Sequence, residues 1–445
     1  MKTLASLITT ALVVLLFAPT LAAQQDRIEA GIRDVGPRAV RLALPEFQFD
    51  MPSEKADKLA KVFNETLRRD LDFSGNLEIA SASFYPPGTF ALPGDIKPED
   101  WTKPGIAAQY IAYGRLSLNG SRFSATGRLR DLASQQEPIA SNFPGFNDEE
   151  ESARLSAHNF ADRILEQLGF GRGIARTKIA FVSTRGGGAK EIYTMDYDGT
   201  SQRALTSHHS IAITRRWSPV DDRIAYTLWG NSGPQIAIMS VSGERFSFTQ
   251  PTGVANSVPS WSPDGKSIVF SSRRDGDTEI YSADADGRNP RRLTNSRGID
   301  VSPVYNPATG RRIVFVSDRS GTPQVWTMSY DGTDVQRITD EGGEAANPVY
   351  SPDGRLIAFA WNKPQSGGFD IYLYDTQTQK FTQLTSNSGN NERPTFAPDG
   401  KHLAFQSNRS GTTQIYSMTL DGKKVLPLTS SGSNEGPTWS GYVTP

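Results

Sequence analysis

The chain of 445 residues contains no cysteine and only four histidines. The first absence excludes disulfides and thiolate metal sites. The second leaves little imidazole chemistry, because His158, His208, His209 and His402 never fall at the H-E-x-x-H spacing of a helical zinc site. No G-x-S-x-G segment occurs, so a hydrolase nucleophile elbow has no place to form. Net charge is missing too: 47 Lys and Arg face 48 Asp and Glu, and no overall field steers the protein to nucleic acid. Beyond residue 23 no apolar run is long enough to span a bilayer.

What is present begins with a secretory signal at 1–23. Lys2 supplies the positive start, 4–18 are uncharged and apolar, and small residues follow Pro19 as a cleavage site. A cleaved signal implies an exported, soluble protein with no membrane insertion afterwards. Residues 24–38 form a polar arm too short to bury a core. An α/β domain is expected over 39–169. Its strands lie at 39–47, 76–82, 110–119 and 121–132, with Asn119-Gly120 as a hairpin turn. Its helices lie at 53–70, capped by Ser53, and at 152–168, stopped by Gly169. A linker, 170–177, leads to a repetitive region over 178–445.

In that region one grammar recurs. Aromatic openings stand at Trp217, Trp261, Tyr305, Tyr350, Phe396 and Trp439, spaced by 44, 44, 45, 46 and 43 residues. Apolar second strands (KIAFVS at 178–183, SIVFSS at 267–272) and closing pairs such as Leu293-Thr294 or Phe248-Thr249 each occur six times. A period of about 40–45 residues with four strands per unit specifies a β-propeller, here of six blades. The first unit lacks its opening strand and the chain ends with a spare one, 436–440. The C-terminal strand is therefore expected to complete the first blade, since an inner edge otherwise stays unpaired. The expected fold is mainly β: a six-bladed propeller closed by its last strand and preceded by a small α/β domain.

Asp-Gly pairs at 264, 286, 331, 353, 399 and 421 mark tight hairpins on one face. Longer loops such as 295–301 and 386–393 gather on the other. The linker delivers the chain to a second strand, which begins on the Asp-Gly side, so the α/β domain is expected there. Catalysis finds little support. Asp in an Asp-Gly turn bonds local backbone; His208-His209 reads as a solvated loop and His158 as a packed helix histidine. Arg215-Arg216, Arg273-Arg274, Arg291-Arg292 and Arg311-Arg312 read as solvated surface rather than a basic patch. The opening aromatics read as packing between blades. No catalytic residue, cofactor or metal is expected.

Binding is another matter. First strands line the channel of a propeller and start on the long-loop face. The residues just ahead of each opening should ring the channel mouth: Asn256, Ser257, Asp300, Asn347, Asn391, Glu392, Arg393, Asn434 and Glu435, with His209 further upstream. They serve either as strand-end caps or as a partner site. Five openings carry Pro two residues before the aromatic; the first has Arg215, which leaves its loop in question.

The repeat WSPDG-x-x-I-x-F…I-Y…DG…L-T resembles that of the TolB family. DLDFSGNLEI (70–79) and ARLSAHNFADRILEQLGFGRGIARTKIAFVS (153–183) are similar to segments of its N-terminal domain and linker. The resemblance covers essentially the whole chain. It implies a periplasmic, non-enzymatic component of the Tol-Pal system supporting outer-membrane integrity and constriction at division. It further implies binding of the lipoprotein Pal at the channel mouth and of TolA by the N-terminal arm, where Ile28 and Ile32 are the expected anchors. A propeller hydrolase or lyase, or a glycan-binding module, is the alternative; the inter-blade loops, rich in Asn, Ser, Glu and Gly, disfavour the latter.

Overall fold

Apolar runs such as Ile179–Val182 and Ile357–Trp361 can only be strands buried on both sides, and each lies second in a four-stranded antiparallel sheet. The computed structural model describes residues 40–147, 149–187, 189–364 and 366–442. The signal segment, the arm and its Ile28 and Ile32 lie outside them. Six such sheets follow one another as blades. Blade one holds Lys178–Ser183, Glu191–Asp196 and Arg203–Ala204, with Asn434–Trp439 as its inner strand. Blades two to six occupy 212–246, 256–292, 300–337, 344–383 and 391–427. The C-terminal strand pairs antiparallel with Lys178–Ser183 and closes the ring.

Turn chemistry accounts for the regularity. In the turns at Asp198, Asp264, Asp286, Asp331, Asp353, Asp399 and Asp421 the carboxylate accepts the amide two residues on, at 2.9–3.1 Å. These aspartates are turn builders, not a carboxylate ring. The closing Thr also has a mechanical role. Thr206, Thr294, Thr339, Thr385 and Thr429 accept the first amide of the third strand's apolar run at 2.8–3.0 Å. Each donates in turn to a buried Glu, Gln or Asp beside it. Blade two differs: Gln250 rather than Thr249 makes the equivalent bonds to Ile236. The opening indoles lie between blades, Trp217 donating to Thr438 O and Trp261 to Arg216 O.

In the α/β part the sheet order is Leu77–Ile79, Val40–Ala43, Tyr110–Asn119, Arg122–Asp131, Ile139–Pro144. Helices α1 (Glu54–Phe73) and α3 (Glu150–Gln167) cover one face; α2 (Pro98–Thr102) brings Trp101 to the other. Ser53 caps α1 through the Ala56 amide, and Leu59, Phe63 and Leu67 meet Phe123 and Phe160 in the core. Each such buried side chain contributes about 1.5–3 kcal/mol. The strand Ile139–Pro144 has no alternating pattern and escaped the sequence reading.

This domain sits on the Asp-Gly side. His402 of blade six bonds Phe73 O at 2.9 Å, Lys424 Nζ lies 2.8 Å from the Asp72 carboxylate, and Arg69 pairs with Asp198. The connecting segment is packed, not loose: Ile174, Ala175 and Thr177 are buried, and the Ala175 amide donates to Asp162. No helix of the described residues is long and apolar enough to cross a membrane.

Candidate functional site: the propeller channel

The six inner strands share one irregularity. Their pairing with the second strand slips between Ile213 and Arg216, Ser257 and Ser260, Val301 and Val304, Ala346 and Val349, Glu392 and Thr395, and Glu435 and Thr438. Within each bulge one residue is left-handed: Thr214, Val258, Ser302, Asn347, Arg393 and Gly436, with φ of 48, 53, 56, 54, 51 and 55°. Only Gly takes this conformation freely; a side chain there costs about 1–2 kcal/mol, and a β-branched Thr or Val is a true outlier. The bulge frees amides that other blades satisfy. The Val258 amide donates to Thr227, and that of Gly436 to Gln406. In five of the six repeats the left-handed residue and the one after it both line the channel, and in the fourth blade Ser302 does so without Pro303.

Together these twelve positions, with Arg216 included and Pro303 not, enclose a cavity of about 180 Å³ on the propeller axis. Four of its lining residues are the opening prolines, Pro259, Pro348, Pro394 and Pro437, and in blade two Arg215 stands in the equivalent place. Thr214 and Arg215 follow the same bulge as the other five openings, so Arg for Pro alters the lining and not the backbone. Arg215 is 3% exposed. Its Nη2 donates to Glu435 O at 2.9 Å, while Nε and Nη1 find no partner among the described residues. Burial above all, and then neighbouring Arg393, pulls its guanidinium down to about 9. Burial takes Arg216 down to about 10. For Glu435 burial acts upward, but Lys190, Arg393 and Arg215 together hold the carboxyl below its ordinary range.

Comparison with known proteins fits this architecture. The family model described as TolB beta propeller domain matches residues 165–366 and 342–442. The chain belongs to the TolB propeller family. It is 32% identical over 297 residues to a protein TolB homolog of Chlorobium chlorochromatii, covering 65% of this chain and 63% of that one. It is 32% identical over 296 residues to the Tol-Pal system protein TolB of Desulfosudis oleivorans, covering 66% and 65%. The matched region thus spans slightly less than two thirds of either relative. The crystal structure of TolB from Acinetobacter baumannii superposes with a TM-score of 0.76 at 25% identity, over 91% of this chain and 98% of that one.

Against this TolB frame the ten mouth candidates divide by strand position. Asn256, Asp300, Asn391 and Asn434 are fully buried and turned into the blades. The reason is a recurrent clamp. Arg319, Arg409 and Arg185 reach back to bond Asp300, Asn391 and Asn434 at 2.7–3.0 Å while lying over aromatic rings of the same blade. The clamped three therefore hold the strand ends, Asn256 is tied instead through its Nδ2 to Gln250 Oε1 at 3.3 Å, and none of the four presents a side chain to a partner. Ser257, Glu392 and Glu435, one residue on, are half-buried at the mouth, and Glu392 accepts from Gln406 at 3.2 Å. Asn347 and Arg393 occupy left-handed positions in the cavity wall. His209 is exposed in its loop, its amide bonded to Glu191, and His208 bonds the Tyr226 hydroxyl.

Sequence reasoning missed Thr214, Arg215, Arg216, Val258 and Ser302 as cavity lining. The expectation that Arg215-Arg216 is solvated surface is corrected: both lie on an innermost strand, which has no outer face. Arg292 and Arg312 pair instead with Glu279 and Asp334.

Proposed function

We propose that the protein is a non-catalytic periplasmic adaptor of the Tol-Pal system that binds the lipoprotein Pal at the channel mouth. Residues 24–38 bind TolA, with Ile28 and Ile32 as anchors, and the complex supports outer-membrane integrity and invagination during division. Membership of the TolB family is the foundation of this reading. The occupation of the Asp-Gly side by the α/β domain supports the other face as the binding face. There Glu392, Arg393, Asn347 and Ser257 stand around the mouth. Half-buried charged groups that become unpaired on desolvation are expensive, which makes Glu392 and Arg393 the dominant contacts. The buried Asn256, Asp300, Asn391 and Asn434 support them from behind.

Calorimetric titration with purified Pal tests the assignment. Glu392→Ala and Arg393→Ala each weaken binding by about 2 kcal/mol or more, while Asn347→Ala and Ser257→Ala at the rim cost little. Asp331→Ala, on the opposite face, leaves affinity unchanged. Parent-like binding by both charged variants, together with weakening by Asp331→Ala, assigns the interaction to the wrong face.

A further inference from the structure

The cavity on the axis gathers three positive charges, and a single carboxylate, Glu435, lies beside it. Arg215, Arg216 and Arg393 line it, and among the described residues of its wall there is no acid. The adjacent carboxylate, Glu435, is already engaged by Lys190 and lies 3.8 Å from Arg393 Nη1. The guanidiniums also converge: a Cβ placed on Gly436 would meet Arg215 Nη2 at 3.0 Å and Arg393 Nη1 at 3.1 Å. Gly436, the single glycine among the six left-handed positions, leaves room for both forks. Two donors of Arg215, Nε and Nη1, find no partner among the described residues although Arg215 is 3% exposed. Donors so placed cost free energy until something accepts from them, and like charges so close add to the cost.

The shape of the unmet demand defines the ligand. A guanidinium edge offers two parallel N–H groups, which match two oxygens of a carboxylate or phosphate. A volume of about 180 Å³ has room for one small oxyanion together with several waters. Asn347 and the Ser302 hydroxyl, in the same wall, supply neutral donors. Arg215 and Arg216 both stay protonated at neutral pH.

We propose that the propeller channel is an oxyanion site in which Arg215, Arg216 and Arg393 bind one small carboxylate or phosphate-type anion. The site shares Arg393 with the proposed Pal surface, but Arg215 and Arg216 lie in the cavity wall alone, so Arg215→Pro separates anion binding from Pal binding. Thermal unfolding of the purified full chain in phosphate or succinate, at constant ionic strength made up with chloride, tests it. A ligand of the folded state raises Tm in a saturable manner, so a rise of a few degrees above chloride is expected. A rise with phosphate alone identifies a phosphoryl-type ligand, with succinate alone a carboxylate, and with both the shared chemistry. Arg393→Gln, at a partly exposed position, and Arg215→Pro, which installs the residue of the other five blades, both abolish the rise; Arg163→Gln, at an exposed position of α3, keeps it. No rise beyond chloride, or a full rise retained in both channel variants, overturns the proposal.

Discussion

At the joint between the α/β domain and blade one, buried charges alternate in sign; in the channel they repeat the same sign. The joint places Asp70 of α1 against His158 of α3 at 2.6 Å, with the Tyr197 hydroxyl on the other Asp70 oxygen. Asp198 lies 3.9 Å from His158 and pairs with Arg69. Every charge there has an opposite nearby, and the apolar cluster of Phe73, Ile174, Met195 and Trp439 seals it. The channel wall has three arginines and no acid of its own, with Glu435 alone beside them. Complementary burial fixes two bodies together; like charges held close disfavour each other unless an anion such as the one proposed intervenes. One chain uses the same residue types to close one place and to keep another open.

The contrast is broken most severely at Asp70. Asp70→Asn leaves His158 and Tyr197 without their carboxylate, and removing one partner of a buried pair costs about 3–5 kcal/mol. Urea denaturation should show that loss, with α/β unfolding separating from propeller unfolding. A loss under about 1 kcal/mol, the value of an exposed pair, makes the joint no different from surface.

A smaller effect follows from pH. For His158 burial acts downward, but Asp70, Asp198 and Asp196 together hold the imidazole above its ordinary 6.5. A folded-state value raised in this way contributes stability that is complete below 6.5 and fades as pH climbs through the raised value. Asp198 and Asp399 act in the opposite sense. Burial pushes both upward, yet the partners His158 and Arg69, and His402, bring them below 3.8. Their contribution is complete above 3.8 and fades as pH falls through the lowered values. The joint is thus tightest between these limits, and Tm should decline on the alkaline side. His158→Gln flattens that decline; an unchanged alkaline limb in the variant removes His158 from the account.

The smallest effect sharpens the channel side. Val258→Gly relieves a left-handed valine, worth about 1–2 kcal/mol, against the backbone entropy of glycine, about 0.5–1 kcal/mol. Equilibrium unfolding should place the variant within about 1 kcal/mol of the parent, on the stable side. A clear destabilisation means that the valine side chain contributes packing which outweighs its strain.

How much of this was legible in the sequence depends on the kind of signal. The blade count, the ring closure and the turns were open to reading because Asp-Gly pairs and opening aromatics recur at a fixed spacing, and both have direct physical causes. Docking of the α/β domain on the Asp-Gly side follows from the linker running into a second strand. The channel wall was only half visible. Alternation along a strand predicts which side chains share a face, but one extra residue in a bulge reverses the count. Asn256 therefore turned inward and Val258 took the axis. Nothing in Thr214 or Val258 announces a left-handed backbone, which glycine would have done. Arg215 and Arg216 looked like surface because charge alone does not tell an inner strand from an outer one.

The strand Asn434–Trp439 also sets a clock. Its anchors, Lys178 N to Ser440 Oγ and Trp439 Nε1 to Thr177 Oγ1, join residues 262 apart in sequence. Closing so long a loop costs only about 1.5 kcal/mol more than closing a single blade, because the entropy grows with the logarithm of length. Kinetically the demand is greater, since such distant pairing is slow to find. Blades two to six can each zip from local hairpins while the chain is still arriving. Blade one has to wait, one edge bare, until the last residues are delivered. A polypeptide delivered from its N-terminus is therefore kept from completing the ring until the strand Asn434–Trp439 has arrived.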